Sequence, residues 1–194
     1  VYLKKILLSR SHNEYLVKKL NLITNYTTKG LIKTTYLDRE DSPVFLEIDK
    51  NHLQQVNYPI TIIPRKGNQY EVTLPEEGES PNLYNYITES VESVAPYSRP
   101  ANKILKLNEW YETPNLKFKL IQNPTPSNLG LNNIIITLVP VNQAVNSITS
   151  SLFVEFDKEL SSIMVISKTG YNLNNTVNFL NSSVDELIKK RLTD

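Results

Sequence analysis

Residues 133–194 read NIIITLVPVNQAVNSITSSLFVEFDKELSSIMVISKTGYNLNNTVNFLNSSVDELIKKRLTD, and this stretch decides the fold class. Asn133 to Val139 is rich in β-branched residues and has the length of a strand. Pro140 suits the first turn of a helix, which the pattern carries through Ile148. Leu152 to Phe156 and Ile163 to Ser167 read as strands on either side of a charged turn, Asp157-Lys158-Glu159. Asn174 or Asn175 is a good N-cap for a final helix. In that helix Leu173, Val177, Leu180, Val184, Leu187 and Ile188 recur at steps of three, four and one, which predicts one buried apolar face. Strand, short helix, two strands and a long helix form an α+β pattern.

The other end of the chain is helical as well. Leu3, Ile6 and Leu7 make one apolar cluster, and Leu16, Val17 and Leu20 make the next. The polar run Ser9–Asn13 between them predicts a bend, with a fresh N-cap at Ser11 and an end near Asn21. The chain begins at Val1 without an initiator Met, and no glycine, proline or left-handed cap follows Leu192. It therefore reads as a segment of a longer protein.

Between the helical ends lies a β-rich middle. Residues 23–28 and 31–37 flank a turn at Lys29-Gly30, and Val44 to Ile48 forms the next strand. Residues 59–63 and 69–74 flank a turn containing Gly67. Residues 74–100 are rich in Pro, Glu, Ser and Tyr, and Pro75 to Glu79 predict a surface loop. Strands at 103–107 and 116–122 enclose a turn carrying Asn108 to Pro114.

Composition excludes several kinds of chemistry. The 194 residues carry 21 Lys and Arg against 20 Asp and Glu, without a block of one sign, so there is no nucleic-acid footprint. Cysteine is absent, which removes disulfides, thiolate catalysis and cysteine-ligated metals. His12 and His52 lack a second ligand at metal spacing and read as surface or helix-terminal residues. Glu109 and Glu112 bracket Trp110 and Tyr111, the one place where carboxylates and aromatics meet in a pattern known from sugar-binding and sugar-cleaving sites. The bland reading is that both rings anchor a turn to the core. No residue is assigned a catalytic, cofactor-binding or metal-binding role, and no cofactor is expected.

Three stretches together carry a family resemblance. They are ILLSRSHNEYLVKKLNL at 6–22, running into NYTTKGLIKTTYLDREDSPVFLEI at 25–48; LNEWYETPNLKFKL at 107–120; and the block from Pro140 to Asp194. In order and spacing they resemble the polysaccharide chain-length determinant (co-polymerase) family, most closely the branch whose members carry a cytoplasmic tyrosine autokinase. Three positions depart from the family pattern. His12 replaces an apolar residue, Leu107-Asn108 replaces Phe-Gly, and Leu173-Asn174 replaces Asn-Pro.

The resemblance implies a non-catalytic domain on the periplasmic face of the bacterial inner membrane, held by flanking membrane helices outside this sequence. The full-length protein would form a homo-oligomer. It would act with a membrane polysaccharide polymerase and the growing glycan, setting the length of capsular polysaccharide, exopolysaccharide or O-antigen. An ATP-dependent tyrosine kinase domain, where the parent has one, would be cytoplasmic and lie beyond this chain. Joined to the residue patterns, the resemblance predicts a mixed β-sheet with the N- and C-terminal helices on one face. Residues 1–54 and 130–194 would form this base, and 55–129 a β-rich insertion, either separate from it or continuous with the same domain. Subunit contacts are expected on the polar helix faces, at Arg10, Lys18, Asp185, Glu186 and Arg191. The alternative is a periplasmic carbohydrate-binding or adhesin-like module in which Trp110 and Tyr111 stack on glycan.

Overall fold

The computed structural model describes residues 2–29, 34–75, 82–94, 100–125, 133–157, 163–171 and 173–193. In chain order the helices and strands are α1 (Tyr2–Leu7), α2 (Arg10–Lys19), β1 (Thr24–Lys29), β2 (Thr34–Leu37), β3 (Val44–Ile48), β4 (Gln54–Val56), β5 (Pro59–Arg65), β6 (Gln69–Thr73), β7 (Asn82–Asn85), β8 (Ser90–Val94), β9 (Lys103–Lys106), β10 (Trp110–Thr113), β11 (Leu116–Gln122), β12 (Ile134–Leu138), α3 (Val141–Ser151), β13 (Leu152–Phe156), β14 (Met164–Lys168) and α4 (Leu173–Thr193). The fold is α+β. The chain divides into two compact units, residues 1–23 with 141–194 and residues 24–140.

Among the described residues, the larger unit contains three sheets. One has six strands in the order β2-β1-β12-β5-β6-β9, and the others run β10-β11-β3 and β4-β7-β8. Every described pairing is antiparallel, where a mixed sheet was expected. The first and last strands of the unit lie side by side, with Thr24 opposite Leu138 and Thr28 opposite Ile134. This pairing moves the unit boundaries to 23/24 and 140/141, away from the expected 54/55 and 129/130. Strands β1 to β3 and β12 belong with the β-rich body because its sheets need them as partners.

Alternation supplies the core of this unit. Leu116, Phe118 and Leu120 are fully buried, whereas Lys117, Lys119 and Ile121 point the other way. Ile60, Ile62, Val72, Leu105, Ile134, Ile136 and Leu138 do the same in the six-stranded sheet. Buried polar groups link the sheets. The Tyr26 hydroxyl accepts a hydrogen bond from Leu46 N at 3.1 Å, and the Tyr86 hydroxyl donates to Val139 O at 2.9 Å. The Gln54 amide donates to Asp49 O and Lys117 O (2.7 and 2.9 Å) and accepts from Lys117 N at 3.0 Å.

Asparagine punctuates the chain. Asn21, Asn57, Asn68 and Asn108 all have positive φ, a conformation that Asn tolerates better than most residues. Asn108, at φ 64°, occupies the position where the resembling family has glycine, so the turn is kept without it. The turn between β5 and β6 uses Gly67 at φ 77° followed by Asn68. The Gly30 turn, most of the Pro75–Glu79 loop, the tip at Lys158-Glu159 and Asp194 lie outside the described residues.

The smaller unit joins both ends of the chain. Ser9, two residues before the expected Ser11, caps α2 by accepting a hydrogen bond from His12 N at 3.3 Å. Helix α2 packs on α3 and α4, while α1 touches β13 and α4 touches β14. Leu152 and Val154 are buried and Phe153 is exposed, so one face of the β13–β14 hairpin is covered. The final helix is rotated from its expected orientation. Its buried line is Phe179, Ser183 and Leu187, whereas Leu173, Val177, Val184 and Ile188 are exposed. The same face carries a polar contact between helices, with Ser183 Oγ 2.8 Å from the buried His12 Nε2.

Replacing Gln54 with Leu leaves the half-buried Lys117 amide without its acceptor, whereas the Asp49 and Lys117 carbonyls keep donors in His52 N and Asp49 N. Equilibrium denaturation is expected to show a loss of about 1–3 kcal/mol, the cost of one stranded group.

Candidate functional site

The outer face of the β10-β11-β3 sheet is the most chemically dense surface among the described residues. Trp110 pairs across the strands with Lys119, and Glu112 pairs with Lys117. On the far side of β11, Lys119 lies opposite Glu47, and Asp49 N donates to Lys117 O. Because side chains alternate along a strand, these residues share one face.

Ion pairs run across that face. Lys119 Nζ is 2.9 Å from Glu47, and Lys117 Nζ is 3.1 Å from Glu112 and 3.5 Å from Asp49. Both ammonium groups also face the indole of Trp110, at 5.1 Å for Lys119 and 5.8 Å for Lys117. The paired carboxylates, Glu112 foremost, raise the Lys117 pKa. Asp49 is lowered, first by the hydrogen bond from the Asn51 backbone and then by Lys117. Lysine and carboxylate charges nearly cancel over the whole face, so it sets up no strong field of either sign.

Trp110 is 39% exposed, but Tyr111 is only 3% exposed and stacks on Phe118 with ring centroids 5.0 Å apart. The two-ring glycan platform of the alternative reading is therefore reduced to one ring, and the anchoring role expected of both rings holds for Tyr111 alone. Adjacent residues of a strand face opposite ways, and Tyr111 belongs to the core. Residues 110–113 form a strand, where the sequence pattern predicted only a turn.

The Glu109 and Glu112 carboxylates engage different partners. Glu109 accepts from Lys106 N at 3.1 Å and lies 3.3 Å from Lys103 Nζ. The backbone hydrogen bond and then Lys103 hold its pKa below the ordinary carboxylate value. A glycosidase general acid needs the opposite shift. No group of three or more His, Asp or Glu among the described residues is arranged to hold a metal ion.

The remaining expected sites are placed as follows. Arg10 and Lys18 share Glu14 on α2, at 3.6 and 2.8 Å. Asp185 and Arg191 are exposed on α4. Glu186 is turned inward and lies 3.8 Å from Lys19 of α2, a contact within the unit. His52 is half-buried and its Nδ1 donates to Leu53 O at 2.6 Å. His12, expected at the surface or at a helix terminus, lies in the first turn of α2 and is fully buried. Its bond to Ser183 has the atoms of a nucleophile–base pair, but both side chains are closed to solvent and none of the described residues orients Nδ1. The pair is structural. No helix among the described residues is long and apolar enough to cross a membrane.

Truncating Tyr111 to Ala is expected to destabilise the protein by about 3–5 kcal/mol, the usual range for a buried aromatic. Trp110→Ala is expected to cost about 1 kcal/mol or less. Denaturant midpoints of the two variants check this ordering. Comparisons with protein-family models and with curated proteins find no match to this chain.

Proposed function

We propose that this chain is a non-catalytic periplasmic domain of an inner-membrane protein that regulates the chain length and export of capsular polysaccharide, exopolysaccharide or O-antigen. The observation that carries the reading is the convergence of both chain ends in one unit, with α1 touching α4. A domain tethered to a membrane at its start and its end brings those ends together, and residues 24–140 are then an insertion in the sequence between them. The order and spacing of the segments at 6–22, 25–48, 107–120 and 140–194 support the same reading. The partners on this reading are further copies of the chain, a membrane polymerase and the growing glycan. Arg10, Lys18, Asp185 and Arg191 remain the helix-face positions available for contact between copies. Where the parent belongs to the autokinase branch, phosphoryl transfer takes place in a separate cytoplasmic domain.

A glycan-binding module is the second reading, favoured by the exposed indole of Trp110 beside hydrogen-bonding lysine–carboxylate pairs. The first reading accounts for more of the chain, since it uses both ends as well as the middle.

In the source bacterium, in-frame deletion of residues 24–140 from the parent gene is expected to alter the modal length of the surface polysaccharide on gels, with the protein still in the inner membrane. An unchanged length distribution with the truncated protein present refutes the proposal. By light scattering, the isolated chain is expected to be a monomer or a weak oligomer, because membrane anchors would supply the effective concentration for assembly. A stable ring at micromolar concentration would contradict that expectation.

A further inference from the structure

The buried polar contact between α2 and α4 supports an inference independent of the polysaccharide reading. His12 and Ser183 are both fully buried, 171 residues apart in sequence, and joined by a 2.8 Å hydrogen bond. His12 Nδ1 is buried and has no hydrogen-bond partner among the described residues. A neutral imidazole tolerates this arrangement, because one nitrogen donates and the other need not. An imidazolium does not. It carries two N–H donors and a full charge, and here the second donor would be stranded in the core.

We propose that His12 and Ser183 form an acid-sensitive clasp that holds α2 onto α4 only while the imidazole is neutral. The charged groups around it favour that behaviour. From α4, Lys190 opposes protonation and Glu186 favours it. Glu186 is itself engaged by Lys19 of α2 at 3.8 Å. Elsewhere on α2, Glu14 is occupied by Arg10 and Lys18. Helix α1 adds only the cations Lys4 and Lys5, and α3 has no ionisable side chain. Burial, then Lys190, place the His12 pKa below its ordinary 6.5.

The sign follows from linkage. The unfolded chain takes up the proton at a higher pH than the folded one. The stabilisation is therefore intact above about pH 6.5 and is lost as pH falls from there towards the folded value. A single proton makes opening more frequent by up to about tenfold per pH unit within that window.

Hydrogen exchange on the whole chain between pH 7.5 and 5.0, corrected for intrinsic rates, tests the proposal. Amide protection in α2 and α4 is expected to fall with pH in the wild type. The fall should disappear in His12→Gln, which keeps a hydrogen-bonding side chain but cannot titrate, and persist in His52→Gln. Because His12→Gln could fail to fold, the His12 ring carbons of the wild type are followed by NMR in parallel. Their midpoint should lie below that of an exposed histidine and coincide with the loss of protection. An ordinary midpoint with α2 and α4 still protected overturns the proposal, as does an unchanged acid response in a folded His12→Gln.

Discussion

The pairing of β1 with β12 is the constraint from which the rest of the architecture follows. Thr24 to Thr28 lie antiparallel to Leu138 to Ile134, so the chain enters and leaves its β-rich body on adjacent strands. Residues 23 and 141 are thereby brought close together. The helical segments before and after them can then build one unit from opposite ends of the sequence, without a long connection. Slipping this register by one residue would reverse the faces of Ile134, Ile136 and Leu138 and remove them from the core. Hydrophobic patterning on β12 thus protects the topology as well as the sheet.

Much of the fold was legible because alternation and turn chemistry agree. Val44 to Ile48, Leu116 to Gln122 and Leu152 to Phe156 are strands with the bounds their patterns predict. What escaped has physical causes. Strands β7 and β8 are short and polar, and their stability comes from pairing with β4 and with each other, which a local pattern does not encode. The segment WYET looked like a turn because it lies between Asn108 and Pro114, although exposed Trp110 followed by buried Tyr111 is a strand alternation. In α4 the apolar spacing selected one face, whereas the buried line runs through Phe179, Ser183 and Leu187. The partner that explains Ser183 is His12, far away in sequence, and no helical periodicity reveals it. Of the sites, the inward turn of Glu186 was hidden for the same reason, since Lys19 lies on a different helix.

The sheet face around Trp110 shows how a charged surface can be conspicuous and electrostatically quiet. Each lysine there neutralises a carboxylate while its ammonium group faces the indole. Such exposed pairs contribute little to stability. Their effect is to order the side chains on a twisted sheet and to cover an aromatic ring that would otherwise be bare.

The uneven distribution of helices and tryptophan also has a practical consequence. All four described α-helices belong to the unit formed by the chain ends, whereas the sole tryptophan belongs to the β-rich unit. Circular dichroism in the helical band and indole fluorescence therefore observe different bodies within the same molecule. Coincident curves would mean that the two bodies melt as one cooperative system, and separated curves would measure each body's own stability without cutting the chain.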